Sequence, residues 1–237
     1  MGEGLHGDLH ELEITADDTA LITIFDQTLV NLNATHMSHL NGDIVDGIVQ
    51  EIDLATGQLM FEWRASDHLD DGEYLKISHG SRAVGDTPFD YFHINSVQKD
   101  LAGNYIVSLR VMHMVVCISG QSEKILWGLG GVSQDFKDLS DGKATDFQWQ
   151  HDARWIDEER GIFGLFNNGI SKNDLHAATL SEGRIIHLDI ENKTARLLHS
   201  YVSLVKTKSI SQGSFQYLSA TSDNSSHHVE KDKVFIG

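Results

Sequence analysis

Residues that cross-link or break a chain are scarce in this sequence. Cysteine occurs once, at Cys117, so no intrachain disulfide can form and no cysteine-based metal site can be built. Proline also occurs once, at Pro88. No run of about 18 apolar residues exists, which excludes a membrane-spanning helix. The N-terminal MGEGLHGDLHEL has neither a basic start nor an apolar stretch, so no signal peptide is visible. Positive charge is sparse: 18 Lys and Arg stand against 35 Asp and Glu, for a net charge of −17. Nucleic acid and anionic membranes need a cationic footprint that is missing here. A small anionic substrate could still bind in a locally positive pocket.

What is present is ordinary for a globular protein, with 40% hydrophobic and 22% charged residues. Histidine is abundant, with 14 copies. Of these, His36, His39, His227 and His228 sit in polar stretches and read as surface residues. Sequons at Asn33, Asn192 and Asn224 permit glycosylation of a secreted chain.

Helical periodicity is hard to find. Short apolar runs rich in β-branched and aromatic residues alternate with turn signals: Ala20–Phe25, Ile48–Ile52, Tyr105–Leu109, Val111–Ile118, Lys124–Trp127 and Arg184–Leu188. The chain is therefore expected to be all-β. The runs also repeat. A first half-unit, strand–turn–strand, starts at His10, again at His93 and again at His151, with a degenerate copy from Gly213 to Ile236. A second half-unit follows the first three, from Val49 to Trp63, Val115 to Trp127, and Ile185 to Leu198. Two hairpins make one four-stranded propeller blade. Residues 1–237 then form a single β-propeller domain of three blades and part of a fourth, truncated at both ends. Loops are expected at Leu29–Gly47, His68–Pro88, Gly130–Phe147 and Asn168–Gly183, with a ligand site at one end of the channel.

His10, His93 and His151 occupy equivalent repeat positions and would face a common axis if the first half-unit is innermost. A lone histidine is most often a hydrogen-bonded structural residue; three at equivalent positions point either to a metal cluster or to nucleophile and acid–base groups. Closely spaced ligand pairs are lacking, and His36, His39, His113 and His176 remain alternatives. Antiparallel pairing about Leu101–Gly103 sets Arg110 beside Ile94, within reach of His93 and Asn95, unless a bulge shifts the register by one. A guanidinium with an imidazole and an amide makes a fork for sulfate or phosphate. Asp135, Asp138 and Asp141 miss calcium-loop spacing. Gly128-Leu-Gly-Gly precedes no helix, so it is not a dinucleotide fingerprint.

Several stretches resemble the arylsulfotransferase family, in particular its eukaryotic, largely fungal branch. They are Glu51–Trp63, Asp90–Val97, Gly103–Arg110, Ile125–Gly131 and Phe147–Arg154, the last containing QHDAR. The likeness runs from about Asp8 to the C-terminus. It implies a six-bladed propeller, secreted or extracytoplasmic, with its active site in the central channel. By resemblance the substrates are an aryl sulfate donor and a phenol acceptor, with no nucleotide donor, no metal and no other cofactor. His151 would carry the sulfuryl group transiently. His93, Asn95 and Arg110 would stabilise its oxygens, and His10 would be a further channel histidine. Arg154, in the same segment as His151, is the remaining substrate-binding candidate. The competing reading is a non-catalytic propeller that binds a ligand or protein partner through its channel face.

Overall fold

A strand buries alternate residues on opposite faces, so each apolar run can serve two cores at once. The computed structural model describes residues 4–29, 43–68, 88–131, 134–169, 180–218 and 233–237, and among these lie strands, one 3-10 turn (Ala65–His68) and no α-helix. The first sheet is antiparallel, with β1 (Leu12–Ile14), β2 (Thr19–Leu29), β3 (Asp43–Asp53) and β4 (Leu59–Arg64) in spatial order. A short β5 (Phe89–Asp90) pairs with β3 in parallel. The second sheet is β6 (Ile94–Lys99), β7 (Tyr105–Leu109), β8 (Met114–Ile118) and β9 (Ile125–Gly130), again in chain order. In the third, β11 (His151–Asp157), β12 (Ile162–Asn167), β13 (Glu182–Asp189) and β14 (Thr194–Val202) follow one another, and β10 (Lys137–Asp138) joins β14 in parallel. A hairpin of β15 (Phe215–Leu218) and β16 (Lys233–Ile236) completes the described chain. Each half-unit read from the sequence is thus one hairpin. Among the described residues the sheets do not close on themselves.

The second half-units share one turn chemistry. Asp53 accepts hydrogen bonds from Thr56 through both its backbone amide (2.7 Å) and its hydroxyl (2.6 Å), and Gly57 takes the left-handed position at φ 71°. Asp189 receives Asn192 in the same way, with Lys193 at φ 50°. The middle copy has Ser119 in the aspartate's place, accepting from the amides of Gln121 and Ser122, and Glu123 at φ 60°. A short side-chain acceptor closes each turn. Only the first copy places glycine where left-handed backbone costs least.

The middle sheet is covered on both faces. Tyr105 and Val107 of β7 join Phe61 and Trp63 of the first sheet, whereas Ile106 between them joins Phe163 and Leu165 of the third. Phe61 stacks on Tyr105 with ring centroids 4.0 Å apart, and the Trp63 indole donates to the Glu123 carbonyl (3.1 Å). Glu51, nearly fully buried, ties the first two sheets by accepting from Thr19 (2.6 Å), Lys99 (2.8 Å) and the Tyr105 hydroxyl. Burial alone would raise its pKa, but these donors together outweigh that and hold it lowered. Inner strands β6 and β11 are joined side chain to backbone: Ala153 N–H donates to Ser96 Oγ (3.1 Å) and Trp155 N–H to Gln98 Oε1 (2.7 Å).

Three expectations need correcting. The segment Leu29–Gly47 is not all loop, because β2 runs to Leu29 and β3 resumes at Asp43, with those two residues paired. Val111–Ile118 is not one strand: Val111–His113 form a turn with His113 at φ 54°, and β8 starts only at Met114. The β6–β7 pairing carries a bulge at Asn95, between the Ile94–Leu109 and Ser96–Ser108 pairs. That extra residue moves Arg110 from Ile94 to His93, whose carbonyl accepts the Arg110 amide at 3.2 Å. Most of the other expected loops, with His36, His39, His176, His227 and His228, lie outside the described residues.

Candidate functional site

The edge strands β1, β6 and β11 begin at or just after the three repeat histidines. His151 is the first residue of β11, His93 precedes β6 with φ 51°, and His10 precedes β1. The rings of His10 and His93 meet edge-on at 5.1 Å, each against Phe25. Each is oriented by a carboxylate: His10 Nδ1 lies 2.7 Å from Asp8 Oδ1, and His93 Nδ1 lies 2.5 Å from Asp90 Oδ2. A carboxylate on Nδ1 holds the proton there and leaves Nε2 for chemistry.

His151 is 5% exposed and its protonation can be read from its neighbours. The Asn168 amide nitrogen donates to the carbonyls of Ser209 (3.0 Å) and Gln212 (2.8 Å), so its Oδ1 is the atom that faces His151 Nδ1, at 2.7 Å. The Trp149 carbonyl also faces Nδ1, at 3.0 Å. Two acceptors around Nδ1 require a proton on it, and Nε2 then carries the lone pair, which accepts the Gln212 amide at 3.2 Å. Burial first, and then the charges of Arg110 and His93, lower the His151 pKa to about 4 against an opposing bond from Asn168. The imidazole is therefore neutral at physiological pH.

Arg110 is half-buried, and desolvation lowers its pKa against the opposing charge of Asp90. It lies over the Trp149 ring (4.8 Å to the centroid), and its Nη2 donates to the Ile210 carbonyl at 3.1 Å. Its buried Nε has no hydrogen-bond partner, and among the described residues no carboxylate stands within ion-pair distance. Arg154 contrasts with it. Nε, Nη2 and Nη1 reach Asp152 (2.5 Å), Glu11 (3.0 Å) and Glu13 (3.3 Å), so each guanidinium nitrogen is occupied and the first and third sheets are bound together. Asn95 is also committed, donating through Nδ2 to the Gln150 carbonyl (2.7 Å). The Gln150 amide in turn donates to Ser108 Oγ, the Leu109 carbonyl and the Met114 carbonyl, which seats the start of β11 on the second sheet.

A cavity of about 400 Å³ opens between these elements, lined by His10, Glu11, Asn95, His151, Arg154 and the Gln212–Ser214 backbone among others. His93 and Arg110 stand behind this wall, His93 against the His10 ring and Arg110 beneath Ile210. Among the described residues no group of three His, Cys, Asp or Glu side chains could hold a metal ion. Asp138, weighed as a calcium ligand, instead caps a turn through the amides of Ser140 (2.6 Å) and Ala144 (2.8 Å). His113 packs edge-on against Trp149 at 4.6 Å. Among the described residues no helix is long and apolar enough to cross a membrane.

Sequence reasoning missed Asn168, Ser181 and the segment 207–213 that lies over the site. Ser181 accepts the Ser209 amide (2.8 Å) and donates through its hydroxyl to the Asn168 carbonyl (2.9 Å). No periodic signal marks such residues, because they sit between strands and meet His151 only through the fold.

The strands and this site define an all-β protein in which histidines gather at the starts of three sheets, near a guanidinium that has no carboxylate in ion-pair contact among the described residues. The chain belongs to the arylsulfotransferase (ASST) family, whose profile matches residues 3–234. Comparison with curated proteins returns no match. Membership points to small aryl compounds as substrates.

Proposed function

We propose that the protein transfers a sulfuryl group from a phenolic sulfate ester to a phenol, through a sulfohistidine on His151 and without a nucleotide donor. The observation that carries this is a neutral buried imidazole, its lone pair set at Nε2, near Arg110, a half-buried guanidinium that among the described residues has no carboxylate in ion-pair contact. A buried cation without a counter-ion costs stability unless an anionic ligand supplies one.

In the proposed reaction, His151 Nε2 attacks the sulfur, an N–S bond forms and the S–O bond to the donor phenol breaks. The leaving phenolate takes a proton from an acid–base group at the cavity wall, the place held by His10. An acceptor phenol then returns a proton to that base and attacks the sulfur, and Nε2 recovers its electron pair. Nε and Nη2 of Arg110 offset charge on the sulfuryl oxygens, Nη2 giving up the Ile210 carbonyl for the substrate. The Gln212 amide, released from Nε2 as sulfur approaches, becomes one more donor to those oxygens. Asn95 and Arg154 serve the pocket from its walls, Asn95 by holding the Gln150 carbonyl and Arg154 by neutralising Glu11, Glu13 and Asp152. The three sheets are read as blades of a propeller with this site at its axis, in an extracytoplasmic protein.

The test is to incubate the protein with an aryl sulfate and map the product by mass spectrometry. A gain of ~80 Da, one SO3, is expected on the His151 peptide. His151→Ala should lose the label and the transfer, and exposed His199→Gln should keep both. A folded protein that binds aryl sulfate saturably yet never takes the label would establish the non-catalytic binding module instead.

A further inference from the structure

We propose that Asn168 is a positioning residue of this site: its amide decides which nitrogen of His151 is nucleophilic, and the same amide seats the backbone that covers that nitrogen. The proposal rests on His151 being the reacting group, although its first half concerns the free protein alone. Asn168 is fully buried, just beyond the end of β12, and uses both ends of its amide. The amino end is fixed by the Ser209 and Gln212 carbonyls at 3.0 and 2.8 Å. Turning the amide over would set Oδ1 against those two carbonyls, so the carbonyl end is locked toward His151 Nδ1 at 2.7 Å. An acceptor so locked holds the proton on Nδ1 and leaves the lone pair on Nε2, the atom nearest the cavity-lining Gln212 backbone.

The segment held by the amino end is the one that overlies the reactive groups. Gln212 N–H covers Nε2, and the Ile210 carbonyl covers Arg110. Its side chains do little to hold it down, since Thr207, Lys208, Ile210, Ser211 and Gln212 are all exposed. The segment is seated mainly by polar bonds to Asn168, Ser181 and Arg110, which an anionic substrate can compete for. Asn168 therefore acts on the imidazole from behind and on its cover from in front.

The charged groups facing His151 are Arg110 and His93; Asp152 is taken by Arg154 and the Phe215 amide, and Asp90 by His93. Replacing Asn168 by aspartate adds the missing carboxylate directly on Nδ1–H and stabilises the imidazolium. It also sets a second oxygen against the Ser209 and Gln212 carbonyls.

Nitrogen-labelled full-length protein, followed by long-range proton–nitrogen NMR across pH, is the test. In the unmodified protein, His151 should show a protonated Nδ1 and an unprotonated Nε2 throughout the neutral range. A proton on Nε2 instead would overturn the proposal with no variant needed. In N168D, the His151 titration midpoint should rise by at least about one unit, and the acid limb of aryl sulfate turnover should rise with it. A dispersed N168D spectrum with an unmoved midpoint would also overturn it. N168A should lower kcat by roughly 10- to 100-fold, the usual range for orienting partners. If the NMR results hold and the unmodified protein never turns over an aryl sulfate, the positioning stands and the transferase reading falls.

Discussion

Removing the Arg154 guanidinium should destabilise the protein in proportion to how strongly its three carboxylates are ionised. In Arg154→Met the side chain keeps much of its apolar stem, so the change isolates the charge. Glu11, Glu13 and Asp152 are left close together, with side chains 13%, 27% and 11% exposed. Breaking a buried ion pair from one side typically costs 3–5 kcal/mol. Partial exposure of Arg154 (29%) lowers the expectation to about 2–4 kcal/mol near pH 7.5. For a chain of this length that amounts to a fall in Tm of roughly 5–15 °C.

The pH dependence is the sharper half of this prediction. Burial already raises the pKa of Glu11 and Glu13, even with Arg154 opposing it. A carboxyl with a raised folded-state pKa contributes stability that is fully present below its unfolded value of 4.5 and is lost as pH rises through the folded value. Without Arg154 both pKa values rise further, so the variant loses more stability than the parent as pH climbs from about 4.5 into the neutral range. The measurement is urea unfolding of both proteins at pH 5 and 7.5, taking ΔΔG from midpoints at matched m-values. The deficit should shrink by half or more at pH 5. A deficit equal at both pH values, or absent at 7.5, would refute the account of Arg154 as the ion that holds the first and third sheets together.

Three more outcomes follow from the same contacts. His151 is neutral down to about pH 4 in the folded state, so transfer should stay flat on the acid side until pH nears that value. Because the folded pKa lies below the ordinary histidine value of 6.5, His151 contributes stability above pH 6.5 that is lost as pH falls toward 4. His151→Gln should flatten that part of the stability curve. Glu123→Gly and Lys193→Gly should each stabilise by roughly 0.5–1 kcal/mol in thermal melts, since both residues occupy left-handed backbone that their counterpart Gly57 takes freely. Gly183→Ala should destabilise by about 1–3 kcal/mol, because its Cβ would lie 2.0 Å from the Phe215 ring that anchors β15.

The hairpins were legible because their determinants are local. An acceptor side chain followed by a left-handed residue closes the turns at Asp53, Ser119 and Asp189, and strand alternation supplies the flanks. Even the turn that opens on Ser119 instead of aspartate keeps this chemistry. The register at Arg110 was legible only to within one residue, since a bulge such as that at Asn95 leaves no compositional mark. Arg154 shows the limit of reading charge along a chain. It lies beside His151 in sequence, yet the carboxylates that occupy it, Glu11 and Glu13, come from about 140 residues away.

The two arginines decide how the site reads. Both lie near the repeat histidines, and from sequence either could clamp an oxyanion. Arg154 meets three carboxylates, so an anion arriving there must displace ion pairs that hold two sheets together. Among the described residues Arg110 contacts a backbone carbonyl and an aromatic face, with Asp90 acting on it from beyond ion-pair distance, so an anion arriving there replaces a neutral dipole with a full charge. The second exchange is favourable and the first is not, by the difference between screening a paired cation and neutralising an unpaired one. A net charge of −17 makes that contrast matter, because anions are repelled over most of the surface and, on the reading proposed above, drawn in where Arg110 stands without a contacting carboxylate. That place is beside His151 Nε2, and the backbone of 210–212 occupies it in the free protein.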